Sequence, residues 1–161
     1  MSPTRIVVAG GTGLLGRALS DALAAGGHDV IVLTRHPSSV TVDPSGAATT
    51  HPGVRLAQWT PDGTAGPWAG FLDGAASVVN LAGESIAAGR WSSTQKARLR
   101  ESRFDATRSL LAGLAACMTP PGVFASGSAV GYYGTRGDEP LTENSPAGSG
   151  FLADLCVQWE A

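Results

Sequence analysis

Residues 5–16 read Arg5-Ile6-Val7-Val8-Ala9-Gly10-Gly11-Thr12-Gly13-Leu14-Leu15-Gly16. Ile6 to Ala9 is short, β-branched and uncharged, the pattern of a strand buried on both faces. It stops at Gly10. Beyond the turn, Leu14, Leu15, Ala18, Leu19, Ala22 and Leu23 recur at spacings of three and four, which predicts a helix with one apolar stripe. Gly10, Gly11, Gly13 and Gly16 lie between strand and helix. The first amides of a helix have no internal acceptors, and with the helix dipole they form an anion site. Glycines let the backbone turn sharply and let a pyrophosphate approach it closely. With the strand before and the helix after, the pattern points to a dinucleotide site. The spacing of Gly11 and Gly16 also fits an NTPase phosphate loop. Arg17 and Ala18 stand where that loop needs Lys and Ser or Thr, and the NTPase reading is rejected.

Working outward, the helix runs to about Ala25 and stops at Gly26-Gly27. Asp29 to Thr34 is a second buried strand, so the first third of the chain is a βαβ unit with a right-handed crossover. The position just past this strand is where NAD-binding folds place an acid against the ribose 2′-hydroxyl. Here it is Arg35, followed by His36. A planar guanidinium suits a 2′-phosphate, which favours NADP over NAD. Residues 37–53, rich in Ser, Thr, Pro and Gly, read as a mobile loop. Val54 to Trp59 is a third strand, Trp68 to Leu72 a short helix, and Ala76 to Leu81 a fourth strand. The last ends in Asn80-Leu81-Ala82-Gly83, small residues expected beside the first strand at the switch point of an open α/β sheet.

Ser92-x-x-Gln95 has the form of a capping box. The helix it opens is expected to reach about Met118, before Pro120-Pro121, with Phe104, Thr107, Leu111, Leu114 and Met118 along one face. Lys96, Arg100 and Arg103 continue that stripe toward the ligand end of the sheet. Basic residues early in a helix oppose its dipole, consistent with a nearby anion or with a solvated basic face. Gly122 to Gly127 is a fifth strand, ending in Ser126-Gly127-Ser128, with Tyr132-Tyr133 close behind. Residues 134–150 form a polar loop. Phe151, Leu152, Leu155 and Trp159 then begin another apolar helix face.

The composition sets bounds. With 161 residues, 43% of them hydrophobic and only 15% charged, the chain is one domain with a substantial buried sheet rather than a disordered polymer. A net charge of −2 argues against nucleic acid or an anionic membrane as partner. Cys117 and Cys156 show neither metal spacing nor a disulfide framework, so a reducing cytoplasm is the expected compartment. No run is apolar and long enough to suggest a signal peptide or a membrane span. Lys96 is the sole lysine.

Together these residues resemble the extended or atypical short-chain dehydrogenase/reductase superfamily, of the epimerase/dehydratase type. Within it they resemble the "epimerase family" proteins that pair this domain with a C-terminal domain of unknown function. The carriers are G-G-T-G-L-L-G, T-R after strand two, N-L-A-G-E-S-I, R-W-S-S-T-Q-K, E-S-R-F-D-A-T, S-G-S-A-V-G-Y-Y-G and F-L-A-D-L-C-V-Q-W-E. The resemblance implies a Rossmann-like, doubly wound parallel α/β sheet in the order 3-2-1-4-5. It implies an NADP(H) site lined by Gly13, Leu14, Leu15, Gly16, Thr34, Arg35, Leu81, Ala82 and Arg103, beside the turn glycine Gly10 and the strand-end Gly83. Relatives run to nearly twice this length, so the chain is expected to be the N-terminal part of such a domain. An open sheet edge would then favour association, and a homo-oligomer is compatible with it.

The superfamily's usual Tyr and Lys, four residues apart, fall on Leu152 and Cys156 when aligned on Glu160. The Lys lowers the Tyr pKa so that it can act as acid and base. Without that pair, Ser126 or Ser128 is the remaining hydroxyl, and Tyr132 or Tyr133 the substitute. Two functions follow from the sequence. One is an NADP(H)-dependent epimerase or oxidoreductase acting on a small, sugar-related substrate, with Ser126 or Ser128 polarising a substrate oxygen. The other is an NADP(H)-binding redox sensor without turnover.

Overall fold

A computed structural model describes residues 4–37 and 53–161. The expected loop over 37–53 lies almost wholly outside the described residues. The chain divides into two compact units, residues 1–126 and 127–161.

In the first unit the described residues form a parallel sheet, in the order β3-β2-β1-β4-β5. Its strands are β1 (Arg5–Ala9), β2 (Asp29–Thr34), β3 (Val54–Gln58), β4 (Ser77–Asn80) and β5 (Val123–Ser126). This is the expected doubly wound topology; β2 has the expected bounds, β1 begins one residue earlier at Arg5, and β3, β4 and β5 are one or two residues shorter than expected. Val8 of β1 stands between Val32 of β2 and Val79 of β4, so the strand is central. Alternation across the pleat then builds two cores. Val7, Ala9, Ile31, Leu33 and Val78 face one side, where they meet Ala106 and Leu110 of helix α2 (Ser93–Ala115). Ile6, Val8, Val30 and Val32 face the other side, with Ala24 buried among them and Leu19 and Leu23 packed against the cluster, all three from helix α1 (Leu14–Ala25).

Both helices depart from their expected stripes. The buried seam of α1 is Gly16, Ser20 and Ala24, and Leu14 and Leu15 are 90% and 71% exposed. In α2 the buried seam is Leu99, Ala106, Ser109, Leu110 and Gly113, while Leu111 points outward; the helix ends at Ala115, short of the expected Met118, which lies exposed beyond it. The reason is close approach. A helix lying on a flat strand face brings its backbone nearest along one line, and small residues permit it while larger ones flank it. A Cβ on Gly113 would stand 2.8 Å from Leu72 Cδ1 and 3.2 Å from Ala69 Cβ, within the 3-10 segment Pro67–Phe71 and its end. That segment takes the place of the expected short helix. It carries Trp68, buried edge-to-face on Trp59 with ring centroids 5.4 Å apart. At the start of α2, Ser92 Oγ accepts from Gln95 N at 3.2 Å, so only one arm of the expected capping box is formed.

The second unit contains a 3-10 turn, Val130–Tyr133, and helix α3, Phe151–Glu160. The polar loop between them is tied down by Arg136, whose guanidinium donates to Tyr133 O at 3.2 Å and Pro146 O at 2.7 Å and meets Glu139 at 3.4 Å.

Candidate functional site

The site is built on the glycine turn that joins β1 to α1. Gly10 has φ +79°, and a Cβ there would stand 2.6 Å from the carbonyl carbon and oxygen of Leu81 and 2.8 Å from Ala82 N. The turn therefore presses directly on the strand end Asn80-Leu81-Ala82-Gly83. Gly16 serves a second close approach, since a Cβ there would stand 2.2 Å from Gly10 O. Gly13 differs. Its backbone is extended (φ −77°, ψ 174°), and an added Cβ would meet only Gly10 O, at 3.3 Å. Gly13 is the N-cap of α1 and offers no side-chain cap, so the first-turn amides of Leu14, Leu15 and Gly16 keep their capacity to bind an anion.

The strand end opposite is held by Asn80, which is fully buried. Its Nδ2 donates to Thr107 Oγ1 of α2 at 3.0 Å and to Ser126 Oγ of β5 at 3.3 Å, and its Oδ1 accepts from Ala82 N at 3.2 Å. Leu81 N reaches across to Ala9 O at 2.9 Å. One side chain thus sets the positions of β4, β5 and α2 where they meet the glycine turn. Sequence reasoning placed Asn80 at the end of the strand but gave it no part in the site. The signal was a polar residue closing a buried apolar run.

A cleft of about 460 Å³ opens at these strand ends. Gly10, Gly13, Thr34, Arg35, Leu81, Ala82 and Gly83 all line it. Leu14, Leu15 and Gly16 do not: the first two project outward at the head of α1, and the third is sealed under the turn. Arg103 also lies outside the lining. Its guanidinium rests against Gly83, where an added Cβ would be 3.1 Å from Cζ, and donates to Leu99 O at 2.9 Å and Glu84 O at 3.2 Å. It braces the wall from behind. Thr34 Oγ1 accepts from His36 N at 3.3 Å, which turns the chain after β2. Arg35 is exposed at the cleft, with no hydrogen bond or ion pair among the described residues. Trp59, Pro61, Arg17, Ser20 and Asp21 line the cleft too and were not foreseen as site residues. Their side chains reach it from the end of β3 and from the flank of α1, a placement that needs the sheet order.

The hydroxyl candidates fall in different units. Ser126 closes β5 in the first unit, within reach of the Asn80 amide. Within the second unit, the Ser128 hydroxyl donates to the Glu160 carboxylate. Tyr132 stacks edge-to-face on Tyr133 at 5.2 Å, and its carbonyl accepts from Gly148 N at 2.9 Å, so the polar loop packs on this pair. Leu152, at the position of the superfamily's Tyr, packs against Gly131, and the Cys156 thiol faces Ala129 O at 3.9 Å. Leu152 has no titratable group, so the hydroxyl of the superfamily's Tyr has no counterpart at this position.

This geometry fits a dinucleotide. An open glycine face, helix amides with no side-chain cap and a guanidinium without a partner among the described residues are placed as phosphates require. Among the described residues, no helix is long and apolar enough to cross a membrane. Comparison with known proteins agrees with the fold. The chain is 38% identical over 161 residues to an epimerase family protein of Mycobacterium bovis, covering 99% of this chain and 48% of the relative. The crystal structure of a human epimerase family protein with NADPH matches with a TM-score of 0.73 and 29% identity, over 97% of this chain and 47% of that one. A nucleoside-diphosphate sugar epimerase from Corynebacterium glutamicum matches with a TM-score of 0.70 and 39% identity, over 99% and 30%. The chain spans about half the length of the curated relatives it matches. The family model for NAD dependent epimerases and dehydratases matches residues 6–151, from β1 to the start of α3, and the chain belongs to the NAD dependent epimerase/dehydratase family.

Proposed function

We propose that this chain carries the cofactor site of an NADP(H)-dependent epimerase or oxidoreductase that acts on a small, sugar-related substrate. The observation that carries the preference for the phosphorylated cofactor is Arg35, exposed beside the glycine turn where an NAD-specific site has an acid. The human relative crystallised with NADPH supports that preference, and the sugar-nucleotide epimerase relative supports the substrate class. When bound, the nicotinamide supplies or accepts a hydride. The chain's own residues do the rest. The α1 amides hold the diphosphate, the Leu81-Ala82-Gly83 wall supports the nucleotide, and Ser126 polarises a substrate oxygen at the end of β5. Ser128 and Tyr132 are the further hydroxyls for that chemistry. A reducing cytoplasmic setting suits the two free cysteines, and the half-exposed β5 leaves room for a homo-oligomer.

Calorimetric titration with NADPH and NADH tests the reading. Wild type is expected to prefer NADPH. Arg35→Ala is expected to weaken NADPH by about 1.5–3 kcal/mol, the range for hydrogen bonds to a charged group, and to leave NADH unchanged. Equal binding of both nucleotides by wild type would remove the basis for the NADP(H) assignment.

A second reading, an NADP(H)-binding redox sensor, is favoured by Leu152 and Cys156 in place of the Tyr and Lys pair. Deuterium transfer from labelled NADPH to carbonyl acceptors separates the two. Transfer to any acceptor excludes the sensor, and its absence across a sugar-nucleotide panel excludes the enzyme.

A further inference from the structure

Arg17 sits in the first turn of α1, where a cation opposes the helix dipole. Its Nε donates to Thr12 O at 2.8 Å, which lays the guanidinium along the glycine turn. No other hydrogen bond or ion pair engages it among the described residues. It lines the same cleft as Thr12, Thr34, Arg35 and His36. Asp21, one turn further along α1, also faces this cleft, and among the described residues it stands beyond ion-pair distance of both arginines. Between them on the same helix flank, Ser20 is 3% exposed and its buried hydroxyl has no partner among the described residues. An unfavourably placed cation, spare donors on it and an orphaned hydroxyl one turn away mark a wall that a ligand completes.

We propose that Arg17 is a second specificity-determining residue, which joins Arg35 in gripping the phosphomonoester on the adenosine ribose of the cofactor. The inference rests on the NADP(H) reading above. A phosphomonoester carries a charge of about −1.5 to −2 near neutral pH, more than one guanidinium neutralises. The bridging diphosphate already has the α1 amides, so the 2′-phosphate is the anion still lacking a second cation. Thr12 O takes only Nε, and the two Nη groups keep four N–H donors for phosphate oxygens in the fork geometry that arginine offers. A residue that merely braced the glycine turn through Thr12 would serve every dinucleotide equally, and that distinguishes the two roles.

The test is calorimetric titration of wild type, Arg17→Ala, Arg17→Lys, Arg35→Ala and the double alanine variant. The ligands are NADPH, NADH, adenosine 2′,5′-bisphosphate and adenosine 5′-monophosphate, and thermal unfolding confirms that each variant folds. Arg17→Ala is expected to weaken NADPH and the bisphosphate roughly ten- to hundredfold and to leave NADH and the monophosphate within about twofold. Arg17→Lys should fall between, because the charge is kept and the fork is lost. The double variant should bind NADPH and NADH alike. Equal weakening of all four ligands by Arg17→Ala, or no change in any, overturns the proposal. A wild type that binds NADPH no better than NADH overturns the NADP(H) reading and this inference with it. If Arg35→Ala leaves the preference intact while Arg17→Ala abolishes it, Arg17 stands and the role given to Arg35 falls.

Discussion

Gly10→Ala separates the demands of folding from those of binding. Two costs fall on it. The φ of +79° is strained for any residue with a Cβ, by about 1–2 kcal/mol. The new methyl would also stand 2.6 Å from Leu81 C and O and 2.8 Å from Ala82 N. These are backbone atoms, held by the Leu81 N to Ala9 O bond and by Asn80, so they cannot swing aside as a side-chain tip would. Overpacking of this kind costs about 1–3 kcal/mol, which makes the expected loss about 2–5 kcal/mol. Gly27 isolates the first cost, because its φ is +85° and an added Cβ meets nothing within 4 Å. Gly27→Ala should therefore lose only the strain, about 1–2 kcal/mol. Gly13→Ala should cost less than either, about 0.5–1 kcal/mol, since its φ of −77° is unstrained but alanine is a poorer N-cap than glycine and its Cβ would stand a tight 3.3 Å from Gly10 O. That methyl would project where a diphosphate must approach, and nucleotide affinity should fall at least tenfold, about 1.4 kcal/mol. Urea unfolding followed by tryptophan fluorescence gives the stabilities, and NADPH titration gives the affinities. The order Gly10→Ala, Gly27→Ala, Gly13→Ala in lost stability, with only Gly13→Ala both stable and binding-deficient, is the expected result. A Gly10→Ala protein as stable as Gly27→Ala, or a Gly13→Ala protein that binds NADPH normally, would refute the reasoning.

Adjacent leucines in α2 should behave in opposite ways. Leu110→Ala empties a fully buried position and should cost about 2–5 kcal/mol, whereas Leu111→Ala, at a position 49% exposed, should change stability by no more than about 1 kcal/mol, as urea denaturation will show. Burial raises the Cys117 thiol above its ordinary value of 9.0, with the charge of Asp73 adding to the shift. The folded protein therefore keeps that proton longer than the unfolded chain does. Any stability this contributes is complete below the unfolded pKa and fades as pH rises through the folded one. Iodoacetamide should label Cys117 in the native protein more slowly at pH 8 than it labels a free thiol, and the rate should climb well above pH 9. Native labelling at the free-thiol rate at pH 8 would contradict the shift.

Local signals in the chain were enough for the framework. Ile6 to Ala9, Asp29 to Thr34 and the glycines between them are contiguous, so their periodicity and turn chemistry declare a βαβ unit without reference to distant residues. Arg35 could be placed for the same reason, at a fixed step past a strand. The helix faces were misjudged because size was taken as the guide to burial. Leu14, Leu15, Leu111 and Met118 are large and apolar yet exposed, while Gly16, Ser20, Ala24, Ala106 and Gly113 take buried positions beside Leu99 and Leu110, Gly16 because the glycine turn and Gly113 because the 3-10 segment comes too close for a Cβ.

What the sequence alone determined is the fold class, the glycine turn between β1 and α1 and the arginine after β2, all properties of short contiguous segments. What only the tertiary structure decided is which residues meet around that turn. Asn80 bridging to Thr107 and Ser126 needs β5 and α2 brought to the end of β4, and Gly10 pressed on Leu81 needs β4 lying beside β1. That pairing joins residues some seventy positions apart, and it is fixed by burial of both sheet faces, a cooperative property of the whole packed unit that no local pattern contains.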